Sequence, residues 1–391
     1  MRRSSRKKQF FMINLGLASL VVLLLDRIDF PQAETKPSFY EIHDLGLSKL
    51  PNALNDSGQV AGMMDAGKDS VQAFVWSLDA GFEYIADDKS IANGINTLGE
   101  VVGHSGLKPG ERSPFHWRKE IGIVPWDDVF ESEAVAYGID SQGRVVGQIA
   151  SGEEGNLFQG FLYDPSSGTL TTLGTLGGRA SQAAAINETG QIVGWAKTPG
   201  DKSSRAFRWN ERDGMIDLGT LGGKNSYANA LNAKGATVGS SEAQAGNFHA
   251  FLHFGEKMTD LGTLGGSWSL ASGINDRGWV VGQSDLPRPQ PSLFEAKGRE
   301  LLEKFVNVGS RDAVFHACLW RNGTVADLND LVGDLGNWDV LSGATAINSK
   351  GQIAGYGLKD GRIHGFVLTP NAALPQSAVE KGQLAWAGER F

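Results

Sequence analysis

The chain has 391 residues, a formal net charge of −8 at pH 7 and a single cysteine. Subtracting the five basic residues among positions 2–8 leaves −13 on the remainder, a body that repels phosphate backbones and excludes nucleic acid as a partner. Cys318 alone cannot form an intramolecular disulfide, so a folded core must come from packing, for which ten Trp and nineteen Phe supply material.

Residues 1–35 read as an address. Arg2, Arg3, Arg6, Lys7 and Lys8 precede a mostly apolar run from Phe10 to Leu25, which Asp26, Arg27 and Asp29 close. This order is that of a secretory signal peptide or, uncleaved, of a signal anchor. Either reading predicts export to the periplasm, cell surface or exterior, with membrane contact only through this segment.

From about residue 40 the chain repeats itself. An Asn or Asp followed three residues later by Gly occurs at Asn55, Asn96, Asp140, Asn187, Asn232, Asn275 and Asn348, with the glycines at 58, 99, 143, 190, 235, 278 and 351. The spacings are 41, 44, 47, 45, 43 and 73 residues. Asn first and Gly fourth is the chemistry of a type I turn between strands. Small residues precede each turn, as in Ala183-Ala184-Ala185-Ile186, and a β-branched strand such as Gln191-Ile192-Val193-Gly194 follows. A third strand carries an aromatic, as in Ala206-Phe207-Arg208-Trp209, and a fourth, such as Met215 to Gly219, leads into the next repeat.

Four short strands in 40–45 residues predict a propeller blade, whereas solenoid coils are shorter. The expected fold is therefore all-β, a seven-bladed β-propeller of four-stranded blades spanning 36–369. Small residues suit the inner strands, which crowd the axis. The last repeat stops after its third strand, and Phe39 to Leu45 supplies a lone fourth strand. Joining them closes the ring without an exposed edge at the seam. Residues 370–391 are expected to form a tail.

The motifs resemble those of the bacterial HAF-repeat family. His249-Ala250-Phe251 is a literal match, beside three L-G-T-L-G-G segments starting at Leu173, Leu218 and Leu261. The likeness weakens in the first two repeats, which lack L-G-T-L-G-G, and at His316-Ala317-Cys318. It implies an exported repeat protein of undefined activity and supplies no catalytic residues.

The repeats themselves carry little chemistry. His249, His316 and His364 share one repeat position, but Gln72, Ser113, Gln159 and Arg205 occupy it elsewhere. Equivalent positions of a ring also lie too far apart to ligate one ion, so no metal is expected. The N-x-x-G turns lack the alternating acidic ligands of a calcium loop. No nucleophile elbow, zinc-helix motif or P-loop occurs, so no cofactor and no catalytic residue is assigned. Cys318 replaces a third-strand Phe and is expected to be a buried thiol.

The 73-residue spacing marks an insertion in blade six, about 284–312. Pro287, Pro289 and Pro291 open it, and Leu293, Phe294, Leu301, Leu302 and Phe305 recur at helical spacing over Ser292–Val306. It falls between a second and a third strand, on the face that also collects the L-G-G-x-x-S crossings between blades. Arg179, Lys224 and Trp268 lie in those crossings and are the candidate ligand-binding residues. The expected function is a monomeric, non-catalytic binding or scaffold module at the cell envelope, with a protein or glycan ligand. The alternative is a propeller hydrolase or lyase acting on an extracellular polymer.

Overall fold

Most strands within a repeat are joined by connections too short to cross over, so each pairs antiparallel with the next, and blade six keeps that pairing across its long insertion. A computed structural model describes residues 38–371 except 68–69, 87, 109, 125, 127–128, 152–156 and 288–313. The N-terminal address, the helix expected over 292–306 and most of the tail lie outside the described residues. Within them, 28 strands form seven four-stranded sheets. The fold is a seven-bladed β-propeller, as expected.

The ring closes as the sequence implied. Strand Tyr40–Leu47 pairs with Arg362–Pro370 and becomes the fourth strand of blade seven, outside Trp338–Ile347 and Ile353–Lys359. Asp44 fastens this seam: its carboxylate accepts from Lys359 Nζ at 2.7 Å and the Gly46 amide at 2.7 Å, and lies 3.0 Å from His364 Nδ1. The body continues one residue beyond that last strand, since the Asn371 amide donates to the Phe39 carbonyl. The propeller thus extends slightly past the expected boundary at 369.

The small residues of the inner strands have the predicted steric cause. A Cβ on Gly94 would lie 2.7 Å from the Tyr137 carbonyl of the next blade. In every blade the pairing of first and second strands contains a β-bulge, for example between Ala92 and Gly94. The bulge brings the first-strand carbonyl onto the glycine ending each V-V-G tail; a Cβ on Gly103 would sit 2.0 Å from the Ile91 oxygen. Over that glycine lies the third-strand aromatic. Phe74, Phe161, Phe207, Phe251 and Phe366 are fully buried there, and Cys318 takes the place in blade six.

One helix was not foreseen. The crossing from blade six to blade seven lacks L-G-G and instead forms a short helix, Leu328–Val332. Asp327 caps it by accepting from the Asn329 amide, and Leu328 and Val332 are buried against blade seven.

Topology defines two faces. The turns between first and second strands, with those between third and fourth, make up the turn face. The second-to-third loops and the crossings between blades make up the opposite, crossing face.

Candidate functional site

On the turn face the N-x-x-G tetrapeptides do more than turn the chain. In each, the Gly amide donates to the Asn or Asp carbonyl, and the leading side-chain Oδ1 accepts from the amides two and four residues on, as Asn55 does from Ser57 and Gln59. The Asn Nδ2 then donates to the backbone carbonyl of the corresponding residue in the next blade. Asn55 reaches Asn96, Asn96 reaches Asp140, and Asn187, Asn232 and Asn275 reach Asn232, Asn275 and Asn348, at 2.9–3.2 Å. Asn348 returns to Asn55 at 3.0 Å.

Asp140 is the one member that cannot donate. Arg144 takes over: it pairs with the fully buried Asp140 carboxylate at 2.6 Å and donates to the Glu188 carbonyl of blade four at 3.3 Å. The Glu188 carboxylate answers by accepting from the Ser141 amide and hydroxyl. This buried ring is structural, and it explains why Asn recurs where the turn alone would accept Asp or Ser.

On the crossing face the L-G-T-L-G-G-x-x-S segment is likewise consumed by structure. The hydroxyls of Ser181, Ser226 and Ser269 accept from the third-strand amides of Gly160, Ala206 and Ala250 and donate to the carbonyls of Gly174, Gly219 and Gly262. An acidic residue then pegs each loop. Asp201 accepts from the Arg179 amide at 2.9 Å and its Nε at 2.5 Å. Glu242 accepts from the amides of Lys224 and Asn225, and Asp285 from the amide of Trp268 at 2.7 Å. Hydrogen bonds from the Arg179 and Lys224 amides hold the Asp201 and Glu242 carboxyls below their usual range.

The three sequence-predicted residues thus occupy successive crossings on one face, as expected, but they differ in what they offer. The Arg179 side chain is 73 % exposed and already ion-paired with Asp201. Lys224 is exposed. Trp268 is half-buried edge-on against Phe315, with ring centroids 5.2 Å apart.

Three aromatics that sequence reasoning passed over lie beside them. Trp195 lies in the second strand of blade four (Ile192–Lys197), Tyr227 lies on the inner strand of blade five (Gly222–Leu231), and Phe248 opens its third strand (Phe248–Phe254). Their centroids are 6.1 and 6.2 Å apart, and all three are only half-buried. Trp195 Nε1 donates to Gln182 Oε1 at 3.1 Å, and Lys197 Nζ stands 5.9 Å from the Trp195 ring. The available signal was local: after the glycine of the second strand the other blades place Met63, His104, Gln148, Ser240, Gln283 and Tyr356, and only blade four places Trp.

Titratable groups gather at one further point on this face, between blades two and three. Arg112 Nε pairs with the Glu133 carboxylate at 2.5 Å, and the Arg112 guanidinium lies 5.7 Å from the Phe158 ring. Burial, helped by the nearby Arg112 charge, pushes His104 down to about 4, so its imidazole is neutral at pH 7; it sits 3.2 Å from Asn93 Nδ2. Burial raises the Tyr137 phenol against the same arginine's pull.

The histidines at the shared third-strand position each meet an aspartate of the adjoining fourth strand: His249 meets Asp260, His316 meets Asp327 and His364 meets Asp44. These pairs lie in three separate blades, and among the described residues no cluster of three metal-ligating side chains occurs. Cys318 is fully buried, and burial raises its thiol well above the usual range.

A cleft of about 610 Å³ opens on the turn face between blades one and two, lined by Phe82, Leu98 and Trp117. Its Glu100 is engaged by Asn96 at 3.0 Å and Arg118 at 2.8 Å.

No protein-family model matches the chain, and no curated protein matches it. Its fold is similar to solved structures of low identity. The β-propeller domain of the trilobed protease from Pyrococcus furiosus, described as having an open velcro topology, is 11 % identical with a TM-score of 0.49, over 74 % of this chain and 84 % of that one. Oligogalacturonate lyase from Vibrio parahaemolyticus is 12 % identical with a TM-score of 0.47, over 86 % and 94 %. TolB from Acinetobacter baumannii is 11 % identical with a TM-score of 0.44; the match covers 80 % of this chain and spans 64 % of that chain. By its own strand pairing the chain is a seven-bladed β-propeller, fastened at the seam by its first strand.

Proposed function

We propose that this protein is an exported, non-catalytic propeller that binds its ligand on the crossing face. The observation that carries the reading is how the acidic residues of that face are used. Asp201, Glu242 and Asp285, at or near the second-to-third connections, each hold the backbone of the neighbouring crossing, while the aromatics on that face are left half-buried. A surface built this way offers contact area and hydrogen bonds rather than a poised acid and base. Export rests on the basic residues 2–8 and the apolar run after them, and fits the proposed kinship with HAF-repeat proteins.

The two faces can be told apart with the chain's own chemistry. Because Cys318 is buried, a single introduced cysteine gives one labelling site. Lys224→Cys lies on the crossing face and Lys234→Cys on a turn-face loop, both exposed. A ligand found in a screen of oligosaccharides, peptides and metabolites should be lost when the first variant carries a polyethylene glycol maleimide and kept when the second does. Loss only with the second label would place binding on the turn face and end the proposal.

A second reading, a hydrolase or lyase, is favoured by the gathering of Arg112, Glu133, His104 and Tyr137 between blades two and three. Turnover of a polymer that disappears in both His104→Ala and Tyr137→Phe would establish it.

A further inference from the structure

We infer that Trp195, Tyr227 and Phe248 form a stacking platform for a pyranose oligosaccharide, laid across the boundary between blades four and five. The inference rests on the crossing face being the binding face, and it names the ligand class of that face.

The residues come from three different strands of two blades, yet their rings adjoin in sequence: Trp195 meets Tyr227 edge-on at 6.1 Å, and Tyr227 meets Phe248 at a 35° tilt and 6.2 Å. Fully core aromatics in this fold are buried to the last few per cent, as Phe207 and Phe251 are. Trp195, Tyr227 and Phe248 keep part of their surface in water at the mouth of the crossing face. Three partly wetted rings in a row, on a rigid sheet, are costly to leave uncovered.

The polar groups around the row select among occupants. A pyranose presents an apolar face of axial C–H groups and a rim of hydroxyls, so it needs a ring beneath it and amides or cations at its edge. Gln182 supplies an amide held in place by Trp195 Nε1. Asn225 supplies a second, fixed through its Nδ2 to Glu242 at 3.0 Å, and its carbonyl oxygen receives the Ser204 amide at 3.0 Å. The Lys197 ammonium stands at the edge of the row, and no described carboxylate lies within ion-pair distance of it. Lys224, from the sequence-predicted set, is exposed in the crossing that leads directly into Tyr227. The chemistry therefore suits a sugar chain, neutral or carrying uronate carboxylates, and Lys197 is the group that distinguishes the two.

Calorimetric titration of the full-length chain with cellohexaose and with hexagalacturonate, followed by mass spectrometry of the recovered sugar, tests this. Binding of at least one hexamer is expected. Trp195→Ala and Tyr227→Ala should each weaken it by about tenfold or more. Tyr84→Ala, on the outer strand of blade one rather than on blades four or five, should leave affinity unchanged, and thermal unfolding should show all variants folded. Lys197→Gln should weaken hexagalacturonate selectively if uronates are the source, and should spare cellohexaose. Binding of neither hexamer, or equal binding by the Trp195 and Tyr227 variants, would overturn the platform while leaving a crossing-face binding module standing. Shortened sugar in the recovered sample, with the platform variants still weakened, would keep the platform and overturn the non-catalytic reading.

Discussion

Asp140 carries the largest single electrostatic burden in the turn-face ring, because it alone replaces an amide donor with a fully buried carboxylate. Arg144 neutralises that charge and supplies the missing link to blade four. Removing the guanidinium leaves the carboxylate buried without a counter-ion, so Arg144→Gln should cost about 3 kcal/mol in chemical unfolding. Combining it with Asp140→Asn rebuilds the amide link that the other six blades use, and should restore most of that loss. A double variant as unstable as the single one would show that the ring is not what joins these blades. Cys318 offers a second check at this scale. Its thiol should resist disulfide reagents in the native state and react once with the unfolded chain; rapid native labelling would contradict its place in the blade-six core.

At the scale of elements, the seam strand decides whether the ring stays closed. Burial pushes the Asp44 carboxyl up, but hydrogen bonds from Lys359, His364 and the Gly46 amide outweigh it, leaving the group below its usual range. A depressed carboxyl stabilises the fold above its unfolded-state value, and the contribution disappears as pH falls through the folded one. Asp44→Asn should therefore unfold earlier than the parent at pH 7, by no more than about 1 kcal/mol for so exposed a pair. The gap should narrow as titrations are taken to pH values below the usual carboxylate range. A gap unchanged by acid would mean that the Asp44 charge does not fasten the seam. Asp327 follows the same logic: burial raises it, while hydrogen bonds from His316 and Asn329 bring it below its usual range. The helix Leu328–Val332 that begins there could not be read from the repeat, since it replaces the L-G-G crossing only once.

For the whole molecule, the fold was legible because its determinants are local and recur seven times. The N-x-x-G turn, the small inner strand and the terminal glycine each answer a contact made within a blade or with its immediate neighbour. The site was less legible. Arg179, Lys224 and Trp268 share the crossing face, but Arg179 proved to be held by Asp201 from the neighbouring second-to-third connection. Trp195 and Phe248 come together only when two blades pack side by side, and no single repeat contains the row. Ser38 and Asn371, hydrogen-bonded to each other where the described body begins and ends, leave on the turn face.

The central claim is that the turn face builds the ring and the crossing face meets the ligand. Hydrogen–deuterium exchange of the full-length chain, with and without saturating cellohexaose or hexagalacturonate, reads both faces at once. Protection is predicted in segments 195–204, 222–231 and 242–250, with the turns at Asn55, Asn187 and Asn232 unchanged because their amides are already bonded in the free protein. Protection centred on the turn-face cleft by Leu98 and Trp117, or no change anywhere, would contradict it.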